Sequence, residues 1–189
     1  MDGLKFVAEI VDALAWPATL IVVLALFRKP LIDLLPQTRK VKYKEFELEF
    51  SAQVTDLHAR AERELPRETA SAQQREMLEN LQDLAEITPN AAVLEAWEEI
   101  EASAKQLIVT RGIELDYEID TPYKLIEITL AKEKLIDTKK IKIYADLRQL
   151  RNRVAHAPNY ELTKSQVSEY IDVAVKLKVY LDDQISTAS

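Results

Sequence analysis

The sequence predicts an all-α protein with three parts: an N-terminal transmembrane helix, a short strand/helical connector and a C-terminal antiparallel four-helix bundle. Three observations lead there. Glycine occurs only twice while 30% of residues are charged, a composition of long helices rather than of a turn-rich β protein. From Ala13 to Phe27 the chain reads ALAWPATLIVVLALF, fifteen residues without a charge. From residue 89 onward apolar side chains recur at spacings of three and four in four stretches, each bounded by Pro, Gly or a capping residue.

The N-terminal element comes first. Fifteen residues at about 1.5 Å each reach roughly 22 Å, short of a ~30 Å hydrocarbon core, so a span has to extend back to about Val7. That extension takes in Glu9 and Asp12, acids suited to the outer interface or to pairing inside an oligomer, and hence candidates for lining a pore. Pro17 frees the carbonyl of Ala13 and is expected to kink the helix. No small-x-small cleavage site follows the run, which argues against a signal peptide. Lys5 alone precedes the run, whereas Arg28, Lys29, Arg39, Lys40, Lys42 and Lys44 follow it. The positive-inside rule then expects a single pass through the inner membrane, with the N-terminus outside and the C-terminal part in the cytoplasm.

The 189 residues allow one ordinary domain and an accessory segment. The expected division is 1–29 for the span, 30–88 for a basic juxtamembrane segment with the connector, and 89–189 for the bundle. With no Cys there is neither a disulfide framework nor a thiolate metal site. The net charge of −7 is unevenly spread. Residues 51–110 carry five Lys/Arg against twelve Asp/Glu, while residues 1–50 and 111–189 each balance to zero. Local patches therefore matter more than the total.

In the connector, VKYKEFELEF from Val41 to Phe50 alternates Phe46, Leu48 and Phe50 with Glu45, Glu47 and Glu49, the period of a strand. Residues 51–64 and 71–87 look helical, with narrow stripes (Val54, Leu57, Ala61; Leu78, Leu81, Leu84, Ala85) on very acidic faces, and read as a solvated spacer in preference to a self-associating coiled-coil stalk. His58, with no other His or Cys beside it, reads as a surface residue.

The bundle follows. Its first helix begins after Thr88-Pro89-Asn90 and carries Val93, Trp97, Ile100, Ala104 and Leu107/Ile108 to about Arg111, where Gly112 ends it. Thr121-Pro122 opens the second, with Leu125, Ile126 and Leu130 inward. The third runs from about Asp137-Thr138 to His156, with Ile143, Leu147, Leu150 and Val154 spaced four, three and four apart. The fourth opens at Thr163 and carries Val167, Ile171, Ala174, Leu177, Leu181 and Ile185. Short connections imply antiparallel neighbours.

The third helix holds Lys139, Lys140, Lys142, Arg148, Arg151 and Arg153 against Asp146 alone, six cations and one acid, in a domain that is otherwise neutral. Such a stripe suits a phosphate backbone, with Lys139, Lys140, Lys142, Arg148 and Arg153 as candidate RNA contacts. The helix ends in Leu150-Arg151-Asn152-Arg153-Val154-Ala155-His156. Arg151 and His156 are five apart, about 140° around a helix, whereas Asn152 and His156 are four apart and share a face. A cation beside a titratable imidazole is the equipment for RNA phosphate chemistry.

This spacing resembles the signature of the HEPN family (higher eukaryotes and prokaryotes nucleotide-binding domains), and the likeness extends over residues 90–186 in the order of the helices. Many members are metal-independent ribonucleases in which an Arg, a following polar residue and a His four to six positions on form a site shared by two subunits. The resemblance implies Arg151, Asn152 and His156 as the catalytic trio and a dimer through the third and fourth helices. His156 would move the proton of the 2′-OH or of the leaving 5′ oxygen, and Arg151 would stabilise the charged transition state. Asn152 would orient either group.

No Gly-rich phosphate loop, metal-ligand cluster or nucleophile constellation stands in the sequence, so neither a cofactor nor a metal is expected. The expected partners are RNA, the membrane and further copies of the chain, with room for a regulatory protein. Three functions follow: a membrane-tethered endoribonuclease of the defence or toxin-effector kind, a catalytically silent HEPN-like binding module, or an oligomeric pore-type effector with the bundle as sensor.

Overall fold

The structure, a computed structural model, describes residues 3–65, 71–115, 124–157 and 160–187. Six α-helices are found there: α1 (Gly3–Glu64), α2 (Ala72–Ile87), α3 (Pro89–Thr110), α4 (Leu125–Lys132), α5 (Thr138–His156) and α6 (Lys164–Ser186). No strand occurs among the described residues. The chain divides into two compact units, Met1–Phe46 and Glu47–Ser189.

The N-terminal unit is helical from Gly3 onward. Among its described side chains, Leu14, Trp16, Leu20, Ile21, Val22, Val23 and Leu26 are exposed. Among the described residues no helix is long and apolar enough to cross a membrane. This corrects the expected transmembrane helix, and with it the single-pass inner-membrane placement and its topology. Length is the physical reason. Uncharged sequence stops after fifteen residues, about 22 Å of helix, between Asp12 on one side and Arg28 on the other. Glu9 is exposed, and the side chain of Asp12 lies outside the described residues. A pore-lining role for either acid depended on the span and goes with it.

A second correction concerns Val41–Phe50, which is helical rather than a strand. Alternation was misleading because Phe46 and Phe50 also stand four apart, one turn of a helix. Phe50 is fully buried whereas Leu48, between them, is 63% exposed. Phe50 begins a stripe that continues through Val54, Leu57, Ala61 and Leu65, all buried. Residues 47–65 are therefore a core helix of the C-terminal unit and not a spacer. The same holds for α2, whose Leu81 and Ala85 are buried and which packs on α3 and α6.

The four expected bundle helices are present. Ser71 and Thr163 close capping boxes with Gln74 and Gln166, and Asp137 caps α5 by accepting from the Lys139 and Lys140 amides. Pro89 stands at the start of α3, and beyond its end Gly112 takes a φ of 70°, the left-handed stop. The expected Thr121-Pro122 start of α4 lies outside the described residues, as do residues 116–120 and the Pro158-Asn159 stop of α5.

Helix α6 is central. It packs on α2, α3 and α5 and buries Val167, Tyr170, Ile171, Ala174, Leu177 and Leu181. Asn90 ties the α5–α6 connection to the start of α3, donating to the Tyr160 carbonyl at 2.6 Å and accepting from the Leu162 amide at 3.1 Å.

Since Leu57 is buried in the C-terminal unit, Leu57→Ala should destabilise it by about 3 kcal/mol in urea or thermal unfolding. Leu48→Ala should change it by less than about 0.5 kcal/mol. A strand over 41–50 followed by a solvated spacer would give the opposite order, with Leu48 on the apolar strand face and Leu57 in water.

Candidate anion site on helix α5

Burying Ile143, Tyr144, Leu147, Leu150 and Val154 fixes the rotation of α5, and its six cations leave in three directions. Toward α1, Lys139 Nζ reaches both carboxylate oxygens of Glu64 at 2.9 Å, and Arg153 Nη2 reaches Glu49 at 2.7 Å. Toward α6, Lys140 lies over the Tyr180 ring, 4.9 Å from its centroid, while pairing with its own cap Asp137. That pairing, outweighing burial, holds the Asp137 carboxyl below its ordinary pKa. Toward α3 and α4, Arg148 Nε donates to Glu127 at 2.9 Å in a largely buried pair. Lys142 is exposed in a shallow hollow with Asp56, Arg60 and Asp146. Of the residues expected to form an RNA stripe, four are thus neutralised within the chain, and Lys142 stands on a different side from Arg148.

Arg151 differs from the rest. It is half-buried and lines a cleft of about 200 Å³ between α3, α4 and α5, with Trp97, Glu101, Ile126, Glu127, Tyr144, Arg148 and Asn152. Its Nη1 donates to the Asn152 side-chain oxygen at 3.1 Å, and its Nε is buried with no hydrogen-bond partner among the described residues. Both carboxylates of the cleft are already engaged. Glu127 holds Arg148, and Glu101 accepts from the Trp97 indole at 2.8 Å and from Lys105 at 2.7 Å. Arg151 therefore has only a neutral partner among the described residues. A partly desolvated guanidinium with an unsatisfied donor is able to take an anion, because a charge-assisted hydrogen bond would meet that donor.

The trio is only partly brought together. Arg151 and Asn152 bond to each other, whereas His156 is exposed at the end of α5 and does not line the cleft. The 140° separation of Arg151 from His156 persists because α5 stays helical to His156 itself. Residues 47–65 of the same chain pack against α5 and α6.

Two tyrosines mark how dry the surroundings are. Burial pushes the Tyr144 hydroxyl far above its ordinary pKa, with Glu101 and Glu127 adding to the shift and Arg148 opposing it. Burial does the same to Tyr170, against the opposing charge of Arg151, and its hydroxyl donates to the Leu147 carbonyl at 3.3 Å.

A second polar cluster joins α1 to α6. His58 Nε2 and Asp172 Oδ2 are 2.7 Å apart, and donor atoms of His58, Glu62 and Asp172 lie within 4.8 Å of one another. The Lys176 ammonium bonds both carboxylates, which outweigh its burial and hold its pKa above the ordinary value. Its position supplies the countercharge, so the cluster is an ion-pair clamp, and His58 is half-buried rather than the surface residue expected. His58 and Glu62 at four-residue spacing were visible in the sequence. Asp172, 114 positions beyond His58, was not. Likewise nothing in the sequence joined Trp97 and Glu101 of α3 and Glu127 of α4 to Arg151 of α5, since they lie on three separate helices.

No family profile matches the chain, and no curated protein and no solved structure is similar to it. The HEPN resemblance thus stands on the run from Leu150 to His156 and the order of the helices alone.

Two predictions follow from the cleft. Arg148→Ala should cost about 3 kcal/mol by denaturant titration because it strands Glu127, while Arg151→Ala, which strands no charge, should cost under about 1 kcal/mol. The tyrosines set an alkaline limit. Unfolded Tyr titrates near pH 10 and the buried hydroxyls only above it, so their stability is present below pH 10 and lost as pH rises beyond. Each such group adds up to roughly 1.4 kcal/mol per pH unit, so Tyr170→Phe should lessen the slope by about that much in denaturation curves measured above pH 10.

Proposed function

We propose that the C-terminal unit is a HEPN-like binding module that seats a single phosphate group of RNA on Arg151 and Asn152. The observation that carries this is Arg151 itself: a half-buried guanidinium, lining a cleft, with a buried Nε that has no hydrogen-bond partner among the described residues. A guanidinium offers five donors in a planar fork, and a phosphate oxygen pair answers that fork better than any neutral group. At about 200 Å³ the cleft is smaller than the roughly 300 Å³ at which sites for whole small molecules begin. It suits one phosphate, with the rest of the ligand outside. Neutralisation of Lys139, Lys140, Arg148 and Arg153 supports local capture over tracking of a long polyanion.

A ribonuclease is the second reading, favoured by one observation. His156 is exposed one turn beyond Asn152, about 6 Å along the helix, and free to act on a phosphate held from outside the cleft or by a second copy. Cleavage would then use the RNA's own 2′-OH as nucleophile, with proton transfer by His156 and charge stabilisation by Arg151.

Titration of a 5′-phosphorylated oligoribonucleotide, followed by gel analysis in EDTA, tests both. Arg151→Ala should weaken binding at least tenfold, His156→Ala should leave it within twofold, and the RNA should remain intact. Arg151→Ala binding as tightly as wild type would sink the proposal. Cleavage that disappears with His156→Ala would establish the second reading.

A further inference from the structure

The N-terminal unit leaves one stretch of α1 without any cover. Between Leu14 and Leu26, seven large apolar side chains are 43% to 74% exposed, with Trp16 the most exposed at 74%. They do not form one stripe. At 100° per residue, Leu20, Ile21 and Val22 already point three ways, so the helix is apolar on every side. Such a helix is buried in use, since water-facing apolar patches of this extent mark contact surfaces. Its uncharged length of about 22 Å falls short of what lipid requires.

Charge says what covers it. Counting from Leu20, Asp12 lies eight positions before and Arg28 eight after, with Glu9 farther out on the acidic side and Lys29 on the basic side. Leu14 and Leu26 lie six positions before and after. The stretch is thus acidic at one end, basic at the other and apolar between, with near-symmetry about Leu20. An identical helix laid antiparallel brings each acidic end beside a basic end and covers the apolar residues between them. A parallel copy would set like charges side by side.

We infer that residues 9–29 are a self-association element, in which α1 pairs antiparallel with a second copy of this chain, centred near Leu20. One neighbour covers one side of an all-round apolar helix, so a second such pair closing on the first gives four copies.

The test uses the full chain without detergent, by light scattering. Two or four copies are expected, and a monomer overturns the inference. Asp12→Lys and Arg28→Asp should each weaken association roughly tenfold at low salt, and the two together in one chain should restore it. A double variant as weak as either single one defeats the charge argument. Because the chain has no Cys, Leu14→Cys and Leu26→Cys can each be labelled with pyrene. Antiparallel pairing gives excimer emission from a mixture of the two labelled proteins and little from either alone, where like labels sit about 18 Å apart along the axis. Excimer from each alone means parallel pairing. Monomers that sediment with phosphatidylcholine vesicles show that lipid is the occupant, and also overturn the inference.

Discussion

Everything about the candidate site depends on how α5 turns its apolar stripe into the core. Ile143, Tyr144, Leu147, Leu150 and Val154 must all be buried, and the helix has only one rotation that does so. With that rotation set, each cation goes where the backbone sends it. Lys139 and Arg153 meet the acids of α1, Lys140 meets α6, and Arg148 and Arg151 enter the cleft beside α3 and α4. A run of positive charge in sequence thereby becomes several separate ion pairs in space. The difference between Arg148 and Arg151 is then a matter of what waits opposite. Glu127 answers the first, and a neutral amide answers the second.

The acidic character of α1 gains a purpose in the same geometry. Its carboxylates Glu49, Glu62 and Glu64 hold Arg153, Lys176 and Lys139, and in the reverse sense its Arg60 holds Asp146. Exposed pairs of this kind contribute little each, on the order of 0.5 kcal/mol, so they do not hold the helix down. Burial does: Phe50, Val54, Leu57, Ala61 and Leu65 have almost no contact with water, and each is worth about 1–3 kcal/mol. The ion pairs instead select the register, since sliding α1 by one turn would set carboxylates against carboxylates. They also remove the α5 cations from circulation. A polyanion competing for Lys139 or Arg153 has first to displace an intramolecular partner held at very high effective concentration.

Much of the C-terminal unit was legible in the sequence because its signals are local. Capping residues Ser71, Asp137 and Thr163, the Pro at the start of α3 and the left-handed Gly112 act within a few positions of themselves, and so did the 4-3-4 stripe of α5. Where local signals were degenerate the reading failed. Phe46, Leu48 and Phe50 satisfy a strand by alternation and a helix by one-turn spacing, and only the partners of Phe50 broke the tie. The apolar run from Ala13 to Phe27 shows the same weakness. Hydrophobicity alone says that a segment avoids water, and its length decides against lipid.

The sequence by itself determined the four helices that follow residue 88, their inward faces and the presence of an Arg-Asn pair beside a terminal His, because each follows from chemistry within one or two turns. Tertiary structure alone decided which charges remain available. Glu127 stands 21 positions from Arg148, and Glu49 stands 104 from Arg153. Pairing over such separations is a consequence of packing, to which periodicity and capping are blind. For the same reason the sequence marked out three residues as one site, while packing took two of them into a cleft and left His156 outside, since a helix that remains intact to its last residue cannot fold its own end back across 140°.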